Sequence, residues 1–202
     1  MRLIGMLDSP YVRRTAITLR LLGLPYALEQ VSVFRTFEQF REINPVVKAP
    51  SLVCDNDVVL MDSTLIIDYA EALAGRSLMP SDLAARQRAL RIVGLALAAC
   101  EKAVQRVYEH NLRPTEKVHQ PWVDRVDGQC ASAFALLEAE MKAMPVPAAE
   151  QDLDQAGLTA AVVWTFTQAL LPGHVEPAAH PALAAYTAAV EAFPAFRALP
   201  HA

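Results

Sequence analysis

The chain has 202 residues, enough for one large domain or two small ones, and a formal net charge of −4 without a long run of one sign argues against nucleic acid as a partner. No apolar run reaches the length of a membrane span, and the N-terminus lacks a signal-peptide pattern. Three distant cysteines and five histidines without ligand spacing suggest neither disulfides nor a metal site, so we expect a reducing, cytoplasmic environment.

The first 75 residues or so alternate short apolar runs with helical patterns, which predicts the order βαβαββα. Strands are expected at residues 2–7, 26–33, 51–54 and 58–61, and helices at 10–22, 37–43 and 64–74. For the third helix the spacing predicts an inner face made of Leu65, Ile66, Tyr69 and Leu73. We assign residues 1–76 to this α/β domain.

The pattern of the rest of the chain predicts helices. Residues 77–81 form a linker, and residues 82–202 are expected to be an all-helical domain. Its helices are predicted at 82–112, 115–144, 159–171 and 181–190, with a short one after Pro194. The segment 159–171 is almost wholly apolar, so we expect it, with Trp164, to be the core of this domain.

Ser9 lies where the first strand gives way to the first helix. It is a good N-cap, and Pro10 then occupies the first helical position, where a missing N–H costs nothing. The free N–H groups of a helix start favour negative charge, including a thiolate. Taken alone, the pattern favours simple capping of the helix over an anion site.

Four short motifs follow one another along the chain: Ser9-Pro10-Tyr11-Val12-Arg13-Arg14, Asn44-Pro45-Val46-Val47-Lys48-Ala49-Pro50-Ser51-Leu52, Asp62-Ser63-Thr64-Leu65-Ile66-Ile67-Asp68-Tyr69 and Gly157-Leu158-Thr159. In this order they resemble the soluble glutathione transferase family, in particular its serine-type bacterial members. The resemblance implies a thioredoxin-like N-terminal domain followed by an all-helical C-terminal domain. Two positions depart from the pattern: Val47 replaces a common glycine, and Val162 replaces an aspartate.

The resemblance implies that Ser9 is catalytic and that glutathione is the co-substrate. A free thiol has a pKa of about 8.5, so only ~3% of it is ionised at pH 7. A serine hydroxyl that donates to the sulfur at a helix start would stabilise the thiolate. Arg13 and Arg14 could add to the positive field, and the alternative is that Ser9 only caps the helix.

The same resemblance implies a glutathione-binding set formed by Lys48, Ala49, Pro50, Asp62 and Ser63. A cis bond before Pro50 would turn the backbone of Ala49 toward a peptide-like ligand, and Lys48 could meet a ligand carboxylate. Ser63 and Asp62 suit the α-carboxylate and the ammonium of a γ-glutamyl group. Ordinary capping of the third helix would also satisfy both residues.

The sequence therefore predicts a homodimeric transferase that conjugates glutathione to a small apolar electrophile bound between the domains, without a metal, nucleic acid or membrane partner. A glutathione transferase fold used for binding or regulation without turnover is the main alternative, and a glutathione-dependent isomerase or reductase is another. Dithiol chemistry is excluded at the first motif, because Ser9 and Val12 occupy the positions of a Cys-Pro-Tyr-Cys loop. The roles of Arg13, Tyr11, Tyr108 and His110 stay open.

Overall fold

A computed structural model describes residues 1–201. In chain order its elements are β1 (Arg2–Ile4), α1 (Pro10–Leu21), β2 (Ala27–Glu29), α2 (Phe37–Ile43), β3 (Ser51–Val53), β4 (Val59–Met61), α3 (Ser63–Ala74), α4 (Leu83–Asn111), α5 (Gln120–Met141), α6 (Gln155–Leu170), α7 (Pro181–Glu191) and α8 (Pro194–Ala198). Across residues 1–201, none of these helices has the length and apolarity needed to cross a membrane.

The chain forms two compact units. The first comprises residues 1–78, residues 149–151 and the segment from Phe193 onward, and the second comprises residues 79–148 and 152–192. The first contains the sheet with α1, α2, α3 and α8, whereas the second is built from α4 to α7.

The sheet of the first unit has the strand order β2-β1-β3-β4. β1 runs parallel to β2 and antiparallel to β3, and β3 and β4 form an antiparallel hairpin. This is the predicted βαβαββα order, and the thioredoxin-like fold is confirmed. The strands are shorter than predicted. β1 ends at Ile4, because Gly5 takes a φ of 143° directly after it and the chain leaves the sheet there.

The predicted inner face of α3 is wrong except for Ile66. The buried positions are Ser63, Ile66, Ile67 and Ala70, whereas Leu65, Tyr69 and Leu73 are 63%, 38% and 51% exposed. Both sets follow helical spacing, so periodicity identifies two apolar faces of the helix. It does not decide which of the two packs on the sheet.

The second unit is organised around α6, as the sequence predicts. Of its sixteen residues, twelve are buried, and Trp164 packs edge-on against Phe134 of α5 with ring centroids 5.8 Å apart. Two predicted boundaries are wrong. α5 begins at Gln120, because residues 115–117 form a separate 3₁₀ turn, and α6 begins at Gln155, four residues before the predicted Thr159.

The earlier start of α6 has a clear cause. Asp154 is its N-cap, and one carboxylate oxygen of Asp154 accepts a hydrogen bond of 2.7 Å from the backbone N–H of Gly157. An aspartate before the helix therefore supplies a cap from outside the Gly157-Leu158-Thr159 motif. Val162, the expected aspartate position, is instead 1% exposed in the core.

Gly157 is required by a close approach between α6 and α7. A Cβ atom at this position would lie 1.8 Å from the hydroxyl oxygen of Tyr186 and 2.6 Å from its Cζ. Tyr186 is 2% exposed, and its burial raises the pKa of the phenol above the usual value. The missing side chain thus makes room for a buried tyrosine on the neighbouring helix.

We expect Gly157→Ala to destabilise the protein by roughly 1–3 kcal/mol, because the added methyl group must displace Tyr186 in a packed core. The matched control is Gly128→Ala in α5, where an added Cβ meets no atom within 4 Å. That substitution should be neutral or stabilise the protein by about 0.5–1 kcal/mol, the helix-propensity gain of alanine. Urea unfolding of both variants measures the difference, and equal stabilities would contradict the packing argument.

Candidate functional site

A missing side chain at Gly5 brings two loops of the first unit together. A Cβ at Gly5 would lie 2.5 Å from Cγ2 of Val12 and 3.3 Å from Cβ of Ala49. The N-terminal turn of α1 and the loop that precedes β3 therefore both lie against Gly5. Ser9 belongs to the first of these segments and Ala49 to the second.

Ser9 is the N-cap of α1 and is half-buried. Its Oγ accepts a hydrogen bond of 3.4 Å from the backbone N–H of Val12, and its own N–H donates to the carbonyl oxygen of Met6 at 3.1 Å. A serine oxygen that accepts a hydrogen bond still carries one hydrogen that it can donate. Capping and donation to a ligand are therefore compatible at Ser9.

Asn44 organises the loop that carries Lys48, Ala49 and Pro50. Its side-chain amide is buried and donates to Ser51 Oγ at 2.8 Å, and that hydroxyl donates to the backbone oxygen of Lys48, also at 2.8 Å. The Ala49–Pro50 peptide bond is cis, as predicted. The polar residues at both ends of the second motif thus fix the loop between them.

Val47 keeps a backbone conformation that favours glycine. Its φ is 52°, in the left-handed region, where a β-branched side chain is strained. The side chain packs against the core cluster of Ile4, Val31, Phe40 and Val53, and this contact offsets part of the strain. Val47 therefore occupies a backbone position of the kind that favours glycine.

Asp62 and Lys48 meet at the start of α3. Asp62 is the N-cap with a φ of 73°, and its two oxygens accept from the N–H of Thr64 at 2.9 Å and from Lys48 Nζ at 3.3 Å. Burial raises the pKa of this carboxyl, but the bonds from Thr64 and Lys48 and the charge of Arg14 outweigh it. The pKa of Asp62 is thereby held below its usual value.

Ser63, beside Asp62, is hydrogen-bonded to a residue that the sequence did not connect with it. Arg14 of α1 is 1% exposed, and its Nη1 donates to Ser63 Oγ at 2.9 Å and to Thr64 Oγ1 at 3.2 Å. Periodicity gave no sign of this contact, because nothing in the pattern of α1 marks a charged residue as buried. The sequence suggested Arg14 only as a source of positive field near Ser9, and it did not single out Thr64 at all.

Arg13 points to a different neighbour. Its Nε donates to the carbonyl oxygen of Leu199 at 2.8 Å, and its guanidinium lies 5.4 Å from the ring centroid of Phe196. Both partners belong to the segment that contains α8. The neighbouring arginines of the first motif are thus divided between the start of α3 and the C-terminal segment.

The remaining candidates lie elsewhere. Tyr108 is 43% exposed on α4, and His110 lines a cleft of about 240 Å³ in the second unit together with Arg106 and His174. All three cysteines are free and buried, and burial raises the pKa of the Cys130 thiol to about 11. Within residues 1–201, no three His, Cys, Asp or Glu side chains are grouped so that they could hold a metal ion.

Comparison with known proteins finds glutathione transferases. Residues 3–78 match the family described as glutathione S-transferase, N-terminal domain. A glutathione transferase family member from Pseudomonas fluorescens Pf-5, solved with bound glutathione, superposes with a TM-score of 0.82 at 28% identity, covering 98% of this chain and 97% of that one. Residues 3–78 therefore belong to the family of glutathione S-transferase N-terminal domains, and the chain as a whole is similar to solved glutathione transferases.

Two curated relatives match over shorter stretches. Glutathione S-transferase U1 of Arabidopsis thaliana is 30% identical over 82 residues, 40% of this chain and 37% of its own length. The stringent starvation protein A homolog of Haemophilus ducreyi is 38% identical over 61 residues, 30% of this chain and 28% of its own length. The chain thus matches well under half of either relative.

A transferase from Methylobacterium radiotolerans, solved in complex with glutathione sulfonate, shares the fold. Its TM-score is 0.87 at 24% identity, over 100% of this chain and 95% of that one.

We expect the lowered pKa of Asp62 to appear in the pH dependence of stability. A carboxyl whose pKa is lower in the folded state stabilises the protein above its unfolded-state pKa, and this contribution is lost as the pH falls through the folded value. The stability difference between the wild type and Asp62→Asn should therefore be constant from neutral pH to about pH 5 and shrink in more acidic solution. Urea unfolding at each pH measures it, with Asp68→Asn, an exposed position of the same helix, as the control. A difference that grows on acidification would contradict the assignment.

Proposed function

We propose that the protein is a glutathione transferase that conjugates the glutathione thiolate to a small apolar electrophile, with glutathione as co-substrate. One observation carries the proposal. The start of α1 with Ser9, the loop with Lys48, Ala49 and Pro50, and the start of α3 with Asp62 and Ser63 stand in the N-terminal family domain of glutathione transferases. A relative with 28% identity holds glutathione in its crystal structure.

In this proposal Ser9 sets the state of the sulfur. Conjugation needs the thiolate, which attacks an electrophilic carbon while a leaving group or a polarised double bond takes up the electron pair. Lowering a thiol pKa by about two units requires ~2.7 kcal/mol of differential stabilisation. Donation from Ser9 Oγ to the sulfur and the N–H groups of α1 can supply it together.

The γ-glutamyl end of glutathione would lie at the start of α3. Its α-carboxylate would accept from Ser63, and its ammonium would pair with the ionised Asp62, whose low pKa keeps it charged. The backbone of Ala49, next to the cis bond to Pro50, would pair with the peptide part of glutathione, and Lys48 would meet a carboxylate. These five residues together would recognise an extended, zwitterionic peptide.

The test begins with two measurements. Calorimetric titration gives the affinity for glutathione, and assays with a panel of aromatic halide and enone electrophiles give the turnover. Ser9→Ala should bind glutathione with nearly unchanged affinity but shift the pH profile of turnover upward by about one to two units, since a hydrogen bond to a charged acceptor is worth ~1.5–3 kcal/mol. The control is Ser132→Ala, an exposed serine whose hydroxyl donates to Gly128 O. It should leave the profile unchanged.

Ser9→Cys gives a second readout. It places a nucleophilic sulfur at a site that favours thiolates, so incubation with oxidised glutathione should give a mixed disulfide that mass spectrometry detects. An unshifted pH profile for Ser9→Ala would transfer the role to another donor, with Tyr11 the first to test. An unmodified Ser9→Cys would show that residue 9 does not face the sulfur.

A second candidate function is binding or regulation without turnover. It is favoured by one comparison, the 38% identity over 61 residues to a protein named for stringent starvation and not for transfer. Retention on immobilised glutathione with no turnover of any electrophile would support this function. Isomerisation or reduction with glutathione would instead appear as product formation without a stable conjugate.

We further propose that the protein works as a homodimer in the cytoplasm. The free, buried cysteines suit a reducing compartment, and the outer stripe of α3, formed by Leu65, Tyr69 and Leu73, exposes apolar surface that a second copy of the chain could cover.

Leu65→Glu should therefore convert the dimer to a monomer, because a buried carboxylate without a partner opposes association. Light scattering coupled to gel filtration measures the mass. The control is Leu136→Glu on α5. Leu136 is also an exposed leucine, at 46% compared with 63% for Leu65. A wild type that elutes as a single chain at high concentration would refute the dimer, and a dimer that survives Leu65→Glu would refute this interface.

A further inference from the structure

Two hydroxyl groups at the start of α3 receive hydrogen bonds from one buried nitrogen. Nη1 of Arg14 donates to Ser63 Oγ at 2.9 Å and to Thr64 Oγ1 at 3.2 Å. An arginine side chain can only donate, so both hydroxyl oxygens act as acceptors here. Each hydroxyl keeps its own hydrogen, and that hydrogen must point away from the guanidinium toward some other acceptor.

We propose that Arg14 is a positioning residue that orients Ser63 and Thr64 as a pair of donors for the α-carboxylate of the ligand, which makes Thr64 a second carboxylate-binding residue. The inference rests on the proposed binding of glutathione. A carboxylate has two oxygens and about four acceptor sites, so one such group can accept from both hydroxyls. Because both hydroxyls contact the same nitrogen, they lie close to each other, as this requires.

The two hydroxyl-bearing residues differ in their exposure to solvent. Ser63 is 4% exposed, whereas Thr64 is an exposed residue. Thr64 is therefore the more accessible donor, and Ser63 lies closer to Arg14. The backbone N–H of Thr64 is already bonded to Asp62, so Thr64 would contact the ligand through its side chain.

Charge supports the same arrangement. The Arg14 guanidinium is 1% exposed, and it adds to the influences that hold the pKa of the nearby Asp62 carboxyl low. A buried positive charge behind a helix start strengthens the preference of that helix start for an anion. The ionised Asp62, already bonded to Lys48, lies next to it and suits an ammonium group. The pattern matches an α-amino acid zwitterion, with carboxylate over Arg14 and ammonium toward Asp62.

The decisive variant is Thr64→Val, which keeps the shape of the side chain and removes the hydroxyl at an exposed position. Calorimetric titration should show glutathione binding weakened by roughly tenfold or more, the loss expected for a hydrogen bond to a carboxylate. Thr64→Ser restores the hydroxyl and should bind within about twofold of the wild type. A merely structural role for Thr64 would not give this rescue.

A glutathione analogue that lacks only the γ-glutamyl α-carboxylate separates carboxylate recognition from general damage. It should bind the wild type more weakly than glutathione does, and Thr64→Val should weaken it no further. Arg14→Gln, checked for folding by circular dichroism, should likewise weaken glutathione by tenfold or more and leave the analogue unaffected. If Arg14→Gln fails to fold, the Thr64 variants alone decide.

The outcomes distinguish this inference from the proposed function. A wild type that binds no glutathione overturns both. A wild type that binds glutathione while Thr64→Val binds it equally well overturns only the paired-donor role. Equal losses for glutathione and for the analogue would also overturn it, since they would show a general effect on the site.

Discussion

The close approach that Gly5 permits is the constraint on which the site depends. A methyl group there would lie 2.5 Å from a methyl carbon of Val12, far inside van der Waals contact, and the φ of 143° is one that side chains oppose. The chain can therefore leave β1 and enter α1 while lying against Ala49. Gly5 thus places the start of α1, capped by Ser9, and the loop that carries Ala49 against the same short stretch of backbone.

Buried charge is the second feature that shapes the first unit. α1 places Arg13 and Arg14, each 1% exposed, next to one another, although isolated buried charges are costly. Both are supplied with acceptors: a backbone carbonyl and an aromatic face for Arg13, and two hydroxyls for Arg14. Arg14 places its positive charge at the start of α3, where it contributes to holding the pKa of the Asp62 carboxyl low.

Much of the fold could be predicted from the sequence, because it depends on local patterns. The order βαβαββα, the capped start of α1 at Ser9 and the apolar α6 follow from periodicity and turn residues. What failed depends on tertiary context. Periodicity identified the apolar stripes of α3 but not the one that packs inward, so Leu65, Tyr69 and Leu73 were misplaced. The contact of Arg14 with Ser63, 49 positions apart along the chain, leaves no trace in local pattern. Capping of one helix by a side chain of another cannot be predicted from local pattern either. Glu138 of α5, for example, accepts hydrogen bonds from the N–H groups of Ala182 and Leu183 at the start of α7.

The contacts of Arg13 bear on how the first unit holds together. Leu199 and Phe196 lie more than 180 residues beyond it in the chain, yet they pack on α1 within the same compact unit. A hydrogen bond to a charged group contributes about 1.5–3 kcal/mol, and a desolvated cation–π contact about 2 kcal/mol. A fragment of residues 1–78 would lose both contacts, and Arg13, in the first turn of α1, would no longer have these two partners. Against a typical domain stability of about 5–15 kcal/mol, this loss is large. The segment with α8 is therefore a structural part of the thioredoxin-like unit, and the two neighbouring arginines serve it differently: Arg13 attaches that segment, and Arg14 supports the start of α3.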